Sequence, residues 1–254
     1  SIITPLRDRI ASQVMTHYPE SLEIARKITS QESWTDRDSI EVHMSGFLRD
    51  VIEEAAICAR KSEFVDQASG VSVRLTTSLL ENVVSNAERR ALHLKETRVA
   101  ARLADVFAAH SAVTGKVELV FEGEREGPQA VADRILGEGV TAVFLRNFPK
   151  PYGDDRRPKD TEPEDVYKPI VDWFAAGNTV VVQDEGADDG AVLEVPTLKG
   201  LVKEHLAPAD EDLPAGCELV LEGLHRASVL AKDRSADGVT YGDLLKRMFA
   251  GFEE

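Results

Sequence analysis

The chain has 254 residues, 43% apolar and 30% charged, with a formal net charge of −15. That is ordinary soluble composition, sufficient for one large domain or two small ones. No apolar run approaches the ~20 residues of a membrane-spanning helix, and the acidic balance disfavours nucleic acid and anionic lipid surfaces as partners.

The charge is unevenly spread. Residues 1–115 hold 14 Lys/Arg against 16 Asp/Glu, whereas residues 116–254 hold 16 against 29. The acidic second part reads as a solvated face or as a surface for a cationic partner. Aromatics are 6% of the chain, so the core rests on Leu, Val, Ile and Ala, a mix that favours helices. Cys58 and Cys217 are lone and far apart, which points to a reducing, cytoplasmic compartment without a disulfide framework. Arg7, Asp8 and Arg9 interrupt the first apolar stretch, unlike a secretory leader. Ser1 is compatible with a processed or truncated start, or with methionine removal.

In chain order, residues 2–13 read as a short helix and Val14–Tyr18 as a brief strand closed by Pro19. Residues 20–34 are helical. Asp36, Asp38 and Ser39 offer caps for a helix carrying Ile40, Met44, Phe47, Leu48, Val51, Ile52 and Ala55. After Ser69-Gly70-Val71-Ser72 comes the clearest helix, about 71–95, with Leu75, Leu79, Val83, Ala87, Ala91 and Leu94 at helical spacing. Val99–His110 reads as a shorter helix, so residues 20–112 form a helical bundle. Val117–Phe121 is a short apolar run and 128–148 a helix. Lys150–Pro163 is a surface loop. Asp165–Ala176 is a helix ended by Gly177, and Thr179–Val182 is the best strand candidate. Residues 196–207, 215–231 and 241–252 complete the helices, leaving a short strand pair at most in this part.

Two segments carry chemistry. Ile2-Ile3-Thr4-Pro5-Leu6-Arg7-Asp8-Arg9-Ile10, followed by Val14-Met15-Thr16-His17-Tyr18-Pro19, resembles the stretch that closes the AAA+ core in MoxR-type ATPases and magnesium-chelatase ATPase subunits. The resemblance implies that Arg9, with Arg7 as fallback, is the arginine finger. A guanidinium from a neighbouring subunit stabilises the charge that spreads over a transferring phosphoryl group. Ser69-Gly70-Val71-Ser72-Val73-Arg74 resembles the start of the sensor-2 helix in the lid of the same clade. It implies that Arg74 reaches the nucleotide phosphates within its own subunit, with Ser69, Gly70 and Ser72 at a helix start suited to an anion. The plain alternative is that these are surface arginines beside an ordinary capped helix. The likeness is good over residues 1–112 and weak beyond, at Gly115-Lys116-Val117-Glu118 and Glu218–Leu224, which puts a true chelatase role in doubt.

The pattern G-x-x-x-x-G-K-[ST] is absent: Gly115-Lys116 is preceded by His110 where the first glycine belongs and followed by Val117. No strand ends in the paired acids of a Walker B motif, so this chain alone has no cradle for ATP and Mg²⁺. The six histidines, His43 and His93 among them, are scattered without metal-ligand spacing. Asp184, Glu185, Asp188 and Asp189 make an acidic turn that lacks the alternating ligands of a calcium loop. Lys150–Lys159 is basic but broken by aspartates, and it is not read as a nucleic-acid site. Trp34 and Trp173 are expected as core or interface anchors.

The expectation is a mainly α chain: residues 1–18 end an AAA+ core, 19–115 form a helical-bundle lid, and 116–254 form a mostly helical α+β accessory domain. By resemblance the intact protein is a bacterial, cytoplasmic homo-oligomeric ring that uses ATP and Mg²⁺ to remodel a partner, such as a protein with a von Willebrand-type metal-dependent adhesion domain. The rival is a stand-alone acidic helical interaction or regulatory module without ATPase activity. A fragment of an ATPase is expected to expose an apolar face over residues 2–18; a free module has no need of Arg9 and Arg74.

Overall fold

The computed structural model describes residues 9, 10, 12, 14–37, 40–151, 165–184, 186, 190–235 and 238–250. The chain is mainly helical with small sheets. Helix α1 (Leu22–Glu32) starts at Ser21, whose hydroxyl accepts the Ile24 N–H. A short strand β1 (Glu41–His43) follows, then α2 (Gly46–Ala59), which is capped by Ser45. This corrects the single helix expected over Ile40–Ala55: Ile40 and Met44 flank a strand, and the cap is none of Asp36, Asp38 and Ser39. Of these, Asp38 and Ser39 lie outside the described residues.

Helix α3 (Arg74–Leu94) confirms the strongest periodic stripe, with Leu75, Leu79, Val83, Ala87 and Ala91 fully buried. It ends at Lys95 in the left-handed region (φ 60°), where the Glu96 N–H returns to the Ala91 carbonyl. Strand β2 (Arg98–Ala100) then pairs in parallel with β1, Val42 opposite Val99. Residues 98–100 are therefore strand, and helix resumes only in α4 (Leu103–Ala108) and α5 (His110–Thr114). Helix propensity over residues 98–100 yields here to ladder bonds from a segment distant in sequence. The run Val117–Phe121 is pinned by bonds between Asp66 and Glu118 and between Val120 and Phe64.

Helices α6 (Phe121–Glu126) and α7 (Pro128–Asn147) come next, the second with proline in its first turn. Helix α8 (Lys168–Ala175) is followed by Gly177 at φ +101°, then by β3 (Val180–Gln183). Two 3₁₀ turns, Ala191–Glu194 and Asp210–Asp212, bracket α9 (Leu198–Leu206). Helix α10 (Leu213–Arg226) leads into β4 (Leu230–Arg234), β5 (Gly238–Asp243) and α11 (Leu244–Ala250). The three strands form an antiparallel sheet in the order β3-β5-β4. This exceeds the strand pair expected. Tyr241 is a strand residue opposite Val180 and Lys232, not the start of a helix, and residues 230–231 are strand rather than the end of α10.

Helix α7 lies along α2, the most extensive helix contact of the fold. Gly139 makes the approach possible, since a Cβ there would stand 2.8 Å from the Ala55 amide nitrogen and 2.9 Å from the Val51 carbonyl oxygen. One continuous apolar cluster runs from Ile40 through α2, α3, α7 and α10 to Tyr241. The core thus continues across residue 115, where the sequence suggests a domain boundary. No helix among the described residues is long and apolar enough to cross a membrane.

Candidate functional site

The N-terminus of α3 brings Ser69, Gly70, Ser72 and Arg74 together on one turn. Gly70 adopts φ +70°, and its N–H bonds to the Asp66 carbonyl. The Ser72 hydroxyl accepts the Arg74 N–H at 3.1 Å. The backbone N–H groups of Ser72 and Val73 make no hydrogen bond among the described residues, so a long helix presents two open donors at its positive end. The exposed Arg74 side chain stands beside them without an acidic partner among those residues.

Ser69 is committed elsewhere. Its hydroxyl lies 3.1 Å from the Asp66 carboxylate and also within hydrogen-bond reach of Glu118. With one proton it donates to one of the two, and an anion at this hydroxyl meets both carboxylates. The arrangement therefore favours anion binding through Arg74 and the Ser72 and Val73 amides, not through Ser69. Arg9 is exposed and joined to none of these groups among the described residues. The two arginines are not brought into one site within a single chain. Arg7 and the rest of residues 1–8 lie outside the described residues.

Val14–Tyr18 is not a strand; no partner strand reaches it among the described residues. Val14 and Met15 are 83% and 81% exposed, and Ile10 and Tyr18 are 43% and 45% exposed. This is an unusual density of open apolar surface for so short a stretch.

A second polar centre was not foreseen in the sequence. Arg102, buried after β2, donates from Nε to Glu218 of α10 at 2.8 Å and from its terminal nitrogens to the carbonyls of Gln183 and Gly186. One turn on, Glu222 is wholly buried and takes hydrogen bonds from Arg226 (3.0 Å), Lys232 (2.7 Å) and the Tyr241 hydroxyl (2.8 Å). Burial pushes the Glu222 carboxyl up, but the Lys232 and Arg226 charges and the Tyr241 hydroxyl outweigh it and hold it below its ordinary value. The Tyr241 phenol is driven well up by burial and by the adjoining Glu222 charge. The Lys232 ammonium also sits 4.5 Å from the centroid of the Phe107 ring. The hollow beside this network, lined by Leu103, Asp184, Lys232, Arg234 and Tyr241, has a free volume of about 20 Å³, room for a water and not for a nucleotide. Its only legible trace was two glutamates spaced i, i+4 on an otherwise apolar helix.

The remaining candidates separate. His43 reaches across to Asp212, Nε2 to Oδ2 at 3.1 Å, and His93 is exposed. Asp184 pairs with Arg234 at 3.1 Å, while Glu185, Asp188 and Asp189 lie outside the described residues. No group of metal-ligating side chains assembles among the described residues. Trp34 is exposed and carries the Arg37 guanidinium on its ring rather than anchoring the core, whereas Trp173 packs against the core edge-on to Phe174. Burial, and secondarily nearby glutamates, push the Cys58 and Cys217 thiols up to about 11 and about 12, which keeps both protonated and unreactive.

Comparisons with models of known families, with curated proteins and with solved structures find no match to this chain.

Proposed function

We propose that this chain is the C-terminal part of a ring-forming AAA+ ATPase of the MoxR/magnesium-chelatase type. Residues 1–18 close the ATPase core, 19–115 form the lid, and 116–254 form an accessory domain. The observation that carries this reading is the exposed apolar stretch from Ile10 through Val14 to Met15, which is what the end of an ATPase core separated from its sheet is expected to present. Arg9 and Arg74, two guanidiniums without acidic partners among the described residues of a chain of net charge −15, support it. So do the two open amides beside Arg74.

ATP and Mg²⁺ bind the core of the intact protein. Arg74 and the Ser72 and Val73 amides reach the phosphates in the same subunit, while Arg9 reaches across from its neighbour to stabilise the charge of phosphoryl transfer. The output is the remodelling of a cytoplasmic partner protein, by resemblance one with a von Willebrand-type adhesion domain. The test is the coding sequence upstream of Ser1. An in-frame core with a P-loop and a Walker B strand is expected; a start codon immediately before Ser1 and no such core would sink the reading.

The continuous core across residue 115 favours a second reading, an acidic interaction module that folds without any ATPase. A clean monomer that resists aggregation in analytical ultracentrifugation speaks for the module. Self-association relieved by adding the core speaks for the ATPase.

A further inference from the structure

The phenol of Tyr18 meets the start of α3. Its hydroxyl accepts the Val71 N–H at 3.1 Å. The contact is close enough that a Cβ on Gly70 would stand 3.2 Å from the same oxygen, at a φ of +70° that already disfavours any other residue. From the other side, the Arg60 guanidinium at the end of α2 lies 4.1 Å from the centroid of the Tyr18 ring. Arg60 Nε is buried without a hydrogen-bond partner, so the ring face is one of the few groups left to hold this cation. Three segments therefore converge on one side chain: the stretch that follows Arg9, the end of α2, and the turn that launches the Arg74 helix.

We propose that Tyr18 is a positioning residue for Arg74, a clip that ties the chain entering the helical region to the turn where α3 begins. The proposal rests on the ATPase reading above and adds a residue to its site. The hydroxyl occupies the Val71 amide, which leaves the Ser72 and Val73 amides as the open donors and sets the direction in which Arg74 leaves the turn. The same side chain lies nine residues after Arg9 along the chain. A shift of α3 on nucleotide binding is thereby passed to the segment that carries the finger for the neighbouring subunit.

Tyr18→Phe removes only the hydroxyl and keeps the ring under Arg60. In ¹⁵N-labelled chain, Val71 amide exchange is expected to accelerate roughly three- to tenfold in this variant, with exchange in the middle of α3 unchanged. An unaltered Val71 rate overturns the clip. In the intact ATPase, Tyr18→Phe raises the KM for ATP several-fold and leaves kcat near wild type, because the interaction lost orients a ground-state phosphate ligand. In an Arg74→Ala background, where turnover is lost, the same change leaves the dissociation constant for ATP, read by equilibrium binding, where Arg74→Ala has put it. A fall in kcat with KM unchanged is the mark of a merely structural tyrosine and overturns the positioning role. A wild-type protein without ATP turnover overturns the ATPase reading and the positioning role with it, while the clip is still decided by the Val71 amide.

Discussion

Arg102 and Glu218 face each other at 2.8 Å with each residue only 2% exposed, one following β2 and the other in the middle of α10. Glu218 also accepts the Ala104 N–H at 3.3 Å. The pair joins residues on both sides of position 115, inside the interior that the helical first part and the acidic second part share.

Arg102→Ala leaves a carboxylate buried without its counter-ion and is expected to cost about 3–5 kcal/mol of stability. Replacing both residues by methionine is expected to recover most of that loss, because neither charge is then stranded. Urea unfolding of the two variants measures this. Equal losses in the single and double variants would mean that the ion pair is not the origin of the effect.

Gly139→Ala forces a methyl group against the backbone of α2 and is expected to destabilise the chain by about 1–3 kcal/mol. Gly200→Ala is the control. It lies on α9 with open space around its would-be Cβ, and alanine there gains about 0.5–1 kcal/mol of helix preference. Thermal melts that move in the same direction for both variants contradict the packing described at Gly139.

Two buried glutamates bend the pH dependence of stability in opposite directions. Burial raises the Glu53 carboxyl, against the Thr29 hydrogen bond and the charges of Arg60 and Arg26. Its raised value means that its contribution is fully present below the ordinary 4.5 and is lost as the pH rises through the folded value. Glu53→Gln should therefore raise the melting temperature at neutral pH by a few degrees, with the gain shrinking as the pH falls toward about 4. Glu222 is held low, so its contribution is present above the ordinary 4.5 and is lost as the pH falls through the folded value. Glu222→Gln should destabilise at neutral pH, with the penalty narrowing in acid. Melting curves across pH in which both variants follow the same trend would contradict these environments.

If Arg9 acts across the subunit interface and Arg74 within its own subunit, Arg9→Ala and Arg74→Ala each abolish ATP turnover in the full-length protein. Equal mixing of the two variants then rebuilds about a quarter of the interfaces, since a subunit that keeps Arg74 can sit beside one that keeps Arg9. Turnover near that fraction is the expected result of a coupled phosphate-release assay. A mixture as inactive as its components shows that the two arginines do not divide the work in this way.

The long local features of this protein were written in its residues. The stripe from Leu75 to Ala91, the helix over 128–148 and the apolar run of β3 read correctly, because each depends on neighbours within a few positions along the chain. At the turn before Arg74, the residues alone did not show that the exposed Ser69 hydroxyl is held by Asp66 and Glu118. What the residues alone left open were features whose partners lie far off in sequence. β1 and β2 are three residues each and exist only because they pair with each other. Tyr241 has the spacing of a helix and takes a strand because β3 and β4 supply its ladder bonds. Arg102, Glu218 and Glu222 look like surface charges until packing removes their water, after which each requires a counter-ion that only the folded chain brings within reach. Local periodicity determined the helices; long-range pairing and the desolvation of charge decided how they join.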